Sequence, residues 1–198
     1  TGIIVRQTGD LRRIVDEFSK FARMPEPERK ALDLTALVRD AVMLQQAGQP
    51  DVSITFETDG PAILSDLDGT MISQALTNLI KNAGEAIETL HKKEDVPDHN
   101  PQIKVKLWQE TGKAMITISD NGIGLPEDRA RLFEPYVTTR SEGTGLGLSI
   151  VKKIIEEHGG TLSLETADVF DGTHRPGAMA VVALPLMQPT PPQKDTSR

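Results

Sequence analysis

The chain has no cysteine among its 198 residues. That excludes disulfides, thiolate metal sites and thiol nucleophiles, and it fits a reducing compartment. It has no apolar run long enough to span a bilayer. No secretory leader pattern is visible at its start. The first residue is Thr1, inside a helical pattern, so the chain reads as a piece of something longer and the missing anchor says nothing about the parent. No excess of positive charge is present: the formal net charge is −7, which argues against nucleic acid as a partner. A phosphate ligand stays open, because backbone N–H groups hold phosphate without basic side chains. No internal repeat is found. What is there, 37% hydrophobic and 26% charged residues, suits one soluble domain with a short appendage.

Residues 3–23 place Ile4, Leu11, Ile14, Val15, Phe18 and Phe21 on one apolar stripe, which predicts a helix. Pro25 and Pro27 end it, and residues 25–33 read as a charged linker. Asp33 or Thr35 caps the next predicted helix, whose buried side is expected to be Leu37, Val38, Ala41, Val42 and Leu44. Residues 52–57 alternate as a strand, Gly60-Pro61 turns, and residues 62–64 form a short strand. A long helix runs from Asp68 or Thr70 to about Leu90, followed by a polar loop at 91–101. Residues 102–109 and 114–119 alternate around Gly112 as a hairpin. Residues 120–145 are rich in Gly, Pro and charge, and too long for a tight connection. A helix over 146–158 closes at Gly159-Gly160. Strands at 161–166 and 178–186 follow, and a Pro-rich tail begins near 188.

Three local patterns carry chemistry. The long helix is apolar on more than half its circumference, yet it presents Asn78 and Asn82 one turn apart, with Glu85 beyond. Asparagine is a poor helix former, and its amide oxygen is a fair ligand for a hard cation. The competing reading has both amides satisfying backbone at the edge of the buried face. Asp120-Asn121-Gly122-Ile123-Gly124 follows a strand directly. A carboxylate there can accept from an exocyclic amine, and the glycines let backbone approach a planar ligand; the competing reading is an ordinary turn. Gly143-Thr144-Gly145-Leu146-Gly147-Leu148-Ser149 runs into a helix, leaving N–H groups at its positive end as an anion cradle. It is not a P-loop, since no Gly-Lys-Ser/Thr follows, and its spacing and position do not suit a dinucleotide fingerprint.

Taken together and in this order, the patterns resemble the GHKL ATP-binding superfamily, and within it the sensor histidine kinases. Residues 74–86 (QALTNLIKNAGEA) are similar to the N box, 120–124 (DNGIG) to the G1 box, 132–139 (LFEPYVTT) to the F box and 143–151 (GTGLGLSIV) to the G2 box. The resemblance covers residues 34–187. Residues 18–25 (FSKFARMP) are similar to the end of the dimerisation helix in nitrogen-regulation sensor kinases of the NtrY type.

The resemblance implies an α+β fold of the Bergerat type, a two-layer sandwich with a mixed sheet covered on one face by helices. It divides the chain into a partial dimerisation helix at 1–24, a linker at 25–33, an ATP-binding domain at 34–187 and a disordered tail at 188–198. It implies ATP and Mg²⁺ as cofactors, with Asn82 on the metal. Asn78 stands where hydrolysing relatives keep a glutamate, and an amide cannot act as that general base. Asp120 and Gly124 would take the adenine. Gly143, Gly145 and Gly147 would supply donors to the phosphates, with Thr144, Leu146 and Leu148 lining that loop. Thr139 and Arg140 would serve in the lid, hinged at Phe133 and Tyr136, with Gly122 giving it freedom. Glu85 departs from relatives that carry a base there, with Lys81 as a conceivable substitute. Gly177-Ala178-Met179 departs from those that carry a hydroxyl.

The family's H box is absent: His91, His99, His158 and His174 all lack its context. His158 is read as a favourable partner of a helix dipole and the others as loop residues. The implied partners are the phosphotransfer histidine of the parent kinase, a response regulator and a second copy of the parent. A cytoplasmic location is implied, with an inner-membrane anchor on the parent left open. Rival readings are an anti-sigma-factor type serine kinase, a non-catalytic interaction module and a gyrase- or chaperone-like ATPase. The apolar stripe at 3–23 counts against the first. Intact Asn82, Asp120 and glycines count against the second, and Asn78 counts against the third.

Overall fold

The computed structural model describes residues 24–60, 62–135, 145–169 and 176–187. The expected N-terminal helix, Pro61 of the first turn, positions 136–144 of the lid, the loop at 170–175 and the tail from 188 lie outside the described residues.

Strand β1 (Lys30–Asp33) leads into helix α1 (Leu34–Gly48). Strands β2 (Ser53–Thr58) and β3 (Leu64–Leu67) follow, then helix α2 (Gly69–Lys93). Strands β4 (Gln102–Glu110) and β5 (Lys113–Asp120) form a hairpin. Its turn residues Thr111 and Gly112 have φ of 47° and 77°, the paired left-handed conformation that matches strand twist. A 3-10 turn (Ala130–Phe133), helix α3 (Gly147–Glu157) and strands β6 (Thr161–Thr166) and β7 (Ala178–Pro185) complete the order.

Five strands form one mixed sheet in the order β2-β4-β5-β7-β6, parallel only between β2 and β4. Its register lines up apolar rows on one face. Phe56, Val105, Ile118, Ala180 and Leu164 stand in one row, and Leu107, Ile116, Val182 and Leu162 in the next. These rows and the apolar sides of the three helices form one core, so the sheet with its helices on one face is the expected two-layer fold. Strand alternation then decides the next row, where Ile54, Ile103 and Asp120 align. Asp120 therefore points to the helix side of the sheet.

The structure alters several expected elements. Residues 30–33, expected as linker, pair antiparallel with β3, and β3 itself lies at 64–67 instead of 62–64. Each of these four-residue strands is stabilised by a partner about thirty positions away, which no local periodicity reveals. Asp33 is the cap of α1, accepting from the Thr35 N–H at 2.9 Å. The buried face of α1 is Leu34, Thr35, Val38, Ala41 and Val42. Leu44 is 62% exposed, because at 100° per residue it lies about 120° from the centre of that face. Helix α2 extends three residues past Leu90, so His91 sits in its last turn.

His158, read as a partner of the helix dipole, does lie at the end of α3, and it also bridges to the start of α2. Its ring is fully buried at the end of α3. Nδ1 lies 2.7 Å from the Ile154 carbonyl, and Nε2 accepts from the Asp68 N–H at 3.0 Å. A ring that donates on one side and accepts on the other is the neutral tautomer.

Leu34 and Leu44 give a test within one helix. Leu34→Ala is expected to lose about 2–5 kcal/mol in urea denaturation, and Leu44→Ala less than about 0.5 kcal/mol. Equal losses would contradict the assigned face.

Candidate nucleotide site

Helix α2 sets the site's floor. Asp68 starts it, accepting from Thr70 and Met71 N–H groups at 3.0 and 3.1 Å. Burial pushes the Asp68 carboxyl up, but the backbone hydrogen bonds from Met71, Glu28 and Thr70 outweigh it, and the group lies below the usual carboxylate range. Ten residues of α2 are buried, from Met71 to Leu90. Asn78 and Asn82 are half-buried at the margin of that face. With Ala86 they form a column of i, i+4 steps, spanning about 12 Å of helix.

The end of β5 meets this column. The Ile123 N–H donates to the Ala86 carbonyl at 3.2 Å. A Cβ on Gly122 would stand 2.6 Å from the Ala86 carbonyl carbon and the Ile87 nitrogen. Gly122 is thus demanded by close approach of two backbones, and not, as the sequence suggested, by freedom of a lid. Gly124 has φ of 79°, which glycine adopts at no steric cost.

Asp120 is 4% exposed. Its Oδ1 accepts from the Gly122 N–H at 2.9 Å and the Ala178 N–H at 3.5 Å. Burial pushes the carboxyl up to about 7, against the opposing pull of these two bonds.

Helix α3 supplies the third side. Asp33 and Asp68 cap the other two helices, whereas among the described residues no side chain caps α3. Ser149 Oγ donates to the Leu146 carbonyl at 2.8 Å instead. Gly145 has φ of 69°, and Leu146 is fully buried beneath the turn. Gly147 is the first helical residue, and Leu148 packs against the core. The Lys152 ammonium sits 5.2 Å from the Phe133 ring centroid, and Arg129 Nη2 donates to Thr166 Oγ1 at 2.7 Å.

The structure thus seats Gly122 and Ile123 on Ala86 and Ile87 of α2, one turn beyond Asn82, and ties Asp120 to Gly122 and Ala178, while Gly145, Leu146, Gly147 and Leu148 stand at the start of α3. Tyr136, Thr139, Arg140, Gly143 and Thr144 lie outside the described residues. Lys81 is exposed and pairs with Glu85 at 3.8 Å.

The chain belongs to the histidine kinase-, DNA gyrase B-, and HSP90-like ATPase family. The family's model matches residues 67–188. The nitrogen regulation protein NtrY of Azorhizobium caulinodans is 49% identical over 170 residues, 84% of this chain and 21% of that protein. The nucleotide-free catalytic domain of histidine kinase ThkA is 30% identical, with a TM-score of 0.66 over 80% of this chain and 96% of that one. ThkA in complex with the response regulator TrrA is 26% identical, with a TM-score of 0.69 over 93% of this chain and 50% of that one. The chain therefore spans about a fifth of the curated relative that it matches. The family is one of ATPases, and the chain is an ATP-binding domain of the sensor-kinase kind.

Two further residues hold this family's loop in place here. Asn121 is buried; its Oδ1 accepts from the Gln102 N–H at 2.9 Å and its Nδ2 donates to the Asn100 carbonyl at 2.7 Å. The His99 ring nitrogen lies 2.8 Å from the Asn121 carbonyl. A Cβ on Gly177 would fall 1.7 Å from the Asp120 carbonyl oxygen, so this position, noted in the sequence only for a missing hydroxyl, is closed to any side chain. The signal available was a glycine just before a strand; its partner across the sheet was not legible.

Two predictions follow from this geometry. Gly122→Ala forces α2 and the loop apart and is expected to cost at least about 1–3 kcal/mol, read as a lowered Tm. The raised Asp120 value means that folding favours the neutral acid. Its stabilising contribution is complete below about pH 4 and fades as pH rises through about 7. Asp120→Asn should therefore raise the Tm of the nucleotide-free protein at pH 8 and leave it nearly unchanged at pH 4. An identical effect at both values would remove the buried charge from the explanation.

Proposed function

We propose that the chain is the ATP-Mg²⁺-binding part of a two-component sensor histidine kinase, whose γ-phosphoryl group goes to a histidine on the parent's dimerisation helix and then to a response-regulator aspartate. The observation that supports this reading is the close seat of the loop after β5, which holds the buried Asp120, on Ala86 of α2, one helical turn from Asn82. Both bonds to Asp120 fall on Oδ1, which leaves Oδ2 to accept from the adenine amine, while Gly124 lies against the ring. The N–H groups from Gly145 to Leu148 meet the phosphates, with Gly143 and Thr144 extending the cradle. Thr139 and Arg140 contribute from the lid.

The donor set suits magnesium. Among the described residues no three His, Cys, Asp or Glu side chains cluster to hold a metal. A hard cation here would rest on the Asn82 amide oxygen and on substrate phosphates, a combination that Mg²⁺ accepts. When bound, the ion neutralises charge on the phosphates. Asn78 lacks the basicity to activate water, so the γ-phosphoryl is kept for an imidazole acceptor. Transfer then depends on positioning, without a covalent intermediate on this domain. The parent is proposed to act as a homodimer with this domain in the cytoplasm. Among the described residues no helix is long and apolar enough to cross a membrane.

Titration calorimetry with ATP tests the map. Asn82→Ala is expected to abolish the Mg²⁺-dependent part of the affinity. Asp120→Ala is expected to weaken binding by at least about tenfold, the loss of one buried charge-assisted bond. Unchanged affinity in both variants would show that the nucleotide binds elsewhere.

A further inference from the structure

The residues that lead into β1 are strapped to both helices of the site. The Glu28 N–H donates to Asp68 Oδ2 at 2.9 Å, and Arg29 Nη2 donates to the Glu157 carbonyl. Asp68 uses its other oxygen, Oδ1, to cap α2. Its own N–H bonds to His158 Nε2, and the opposite nitrogen of that ring bonds to the Ile154 carbonyl. Residues 24–29, the start of α2 and the end of α3 therefore meet at one joint.

The joint has a fixed inside and a detachable outside. His158 is fully buried with both ring nitrogens engaged, so the ends of α2 and α3 move together. The two outer straps are exposed and cost little to break. Between them the chain arches over a groove of about 340 Å³ lined by Met24, Pro25, Glu26, Pro27, Arg29 and Glu157. From this joint α2 runs about 15 Å to Asn78, and α3 runs about 15 Å back to Gly147.

We propose that Asp68 and His158 are positioning residues that couple the attachment of residues 24–29 to occupancy of the nucleotide site. The inference rests on the nucleotide reading above. A ligand held between the column on α2 and the start of α3 sets the spacing of the two helices, and close-packed helices pass that spacing to their far ends. The straps hold best at one spacing, so nucleotide tightens them. By linkage, a pull on residues 24–29 weakens nucleotide binding by the same factor.

Amide hydrogen exchange on the full chain, with and without MgADP, tests this. Saturating MgADP is expected to slow exchange of the Glu28 amide by about fivefold or more. Asp68→Asn keeps one oxygen for the α2 cap and turns an amide nitrogen, which cannot accept, toward Glu28. In that variant the Glu28 amide should exchange about tenfold faster and no longer respond to MgADP, with Thr70 and Met71 still protected. Arg29→Ala, which touches neither Asp68 nor the cap, should halve the response or more, and it decides the matter if Asp68→Asn also frees Thr70 and Met71. The inference is overturned if MgADP binds and Glu28 exchange does not change, or if both variants respond as the wild type does. Absence of any MgADP binding would instead sink the nucleotide reading.

Discussion

Between Gly122 and the Ala86–Ile87 peptide of α2 there is room for hydrogen and nothing larger. That close approach fixes the depth of the whole site. It lets the Ile123 N–H reach a helix carbonyl, and so pins the loop after β5 to the same column that carries Asn78 and Asn82. It brings the end of β5 under the helix layer, where strand alternation has already turned Asp120 inward. Gly177 repeats the constraint from the other side, against the Asp120 carbonyl. Two glycines thus make one carboxylate bury itself, and burial is what moves its titration toward neutrality.

The polar groups around this point divide between holding and waiting. Asn121 is spent on the backbone of Gln102 and Asn100, and His158 on Asp68 and Ile154. These are buried amide and imidazole groups with their bonds satisfied, as a stable interior requires. The start of α3 differs: among the described residues no side chain caps it, where aspartates close α1 and α2.

The α2–α3 pair also explains how a small sheet supports a binding function. Both helices are core elements along most of their length, and both offer polar groups only at margins and ends. Their joint at Asp68 and His158 closes one end of the pair, while the other parts flank the ligand position. Rigidity at one end and openness at the other is a reasonable arrangement for a domain that must hold a nucleotide and release it.

The sequence by itself determined the long α2 with its asparagines, the β4–β5 hairpin and the glycine start of α3. In each, the signal is local: a 3.6-residue stripe, strict alternation, or a glycine run at a helix start. Four motifs in order also named the family, since their types and spacing carry the ligand chemistry. Local pattern misjudged β1 and β3, whose pairing spans distant positions, and Leu44, whose apolarity says nothing about which way it faces. It assigned Gly122 to motion and read His158 only as a helix-end partner, where tertiary packing made one a spacer and the other a buried bridge between α2 and α3. Only the folded chain decided how near two backbones come, because contact distance between segments far apart in sequence is a property of neither segment alone.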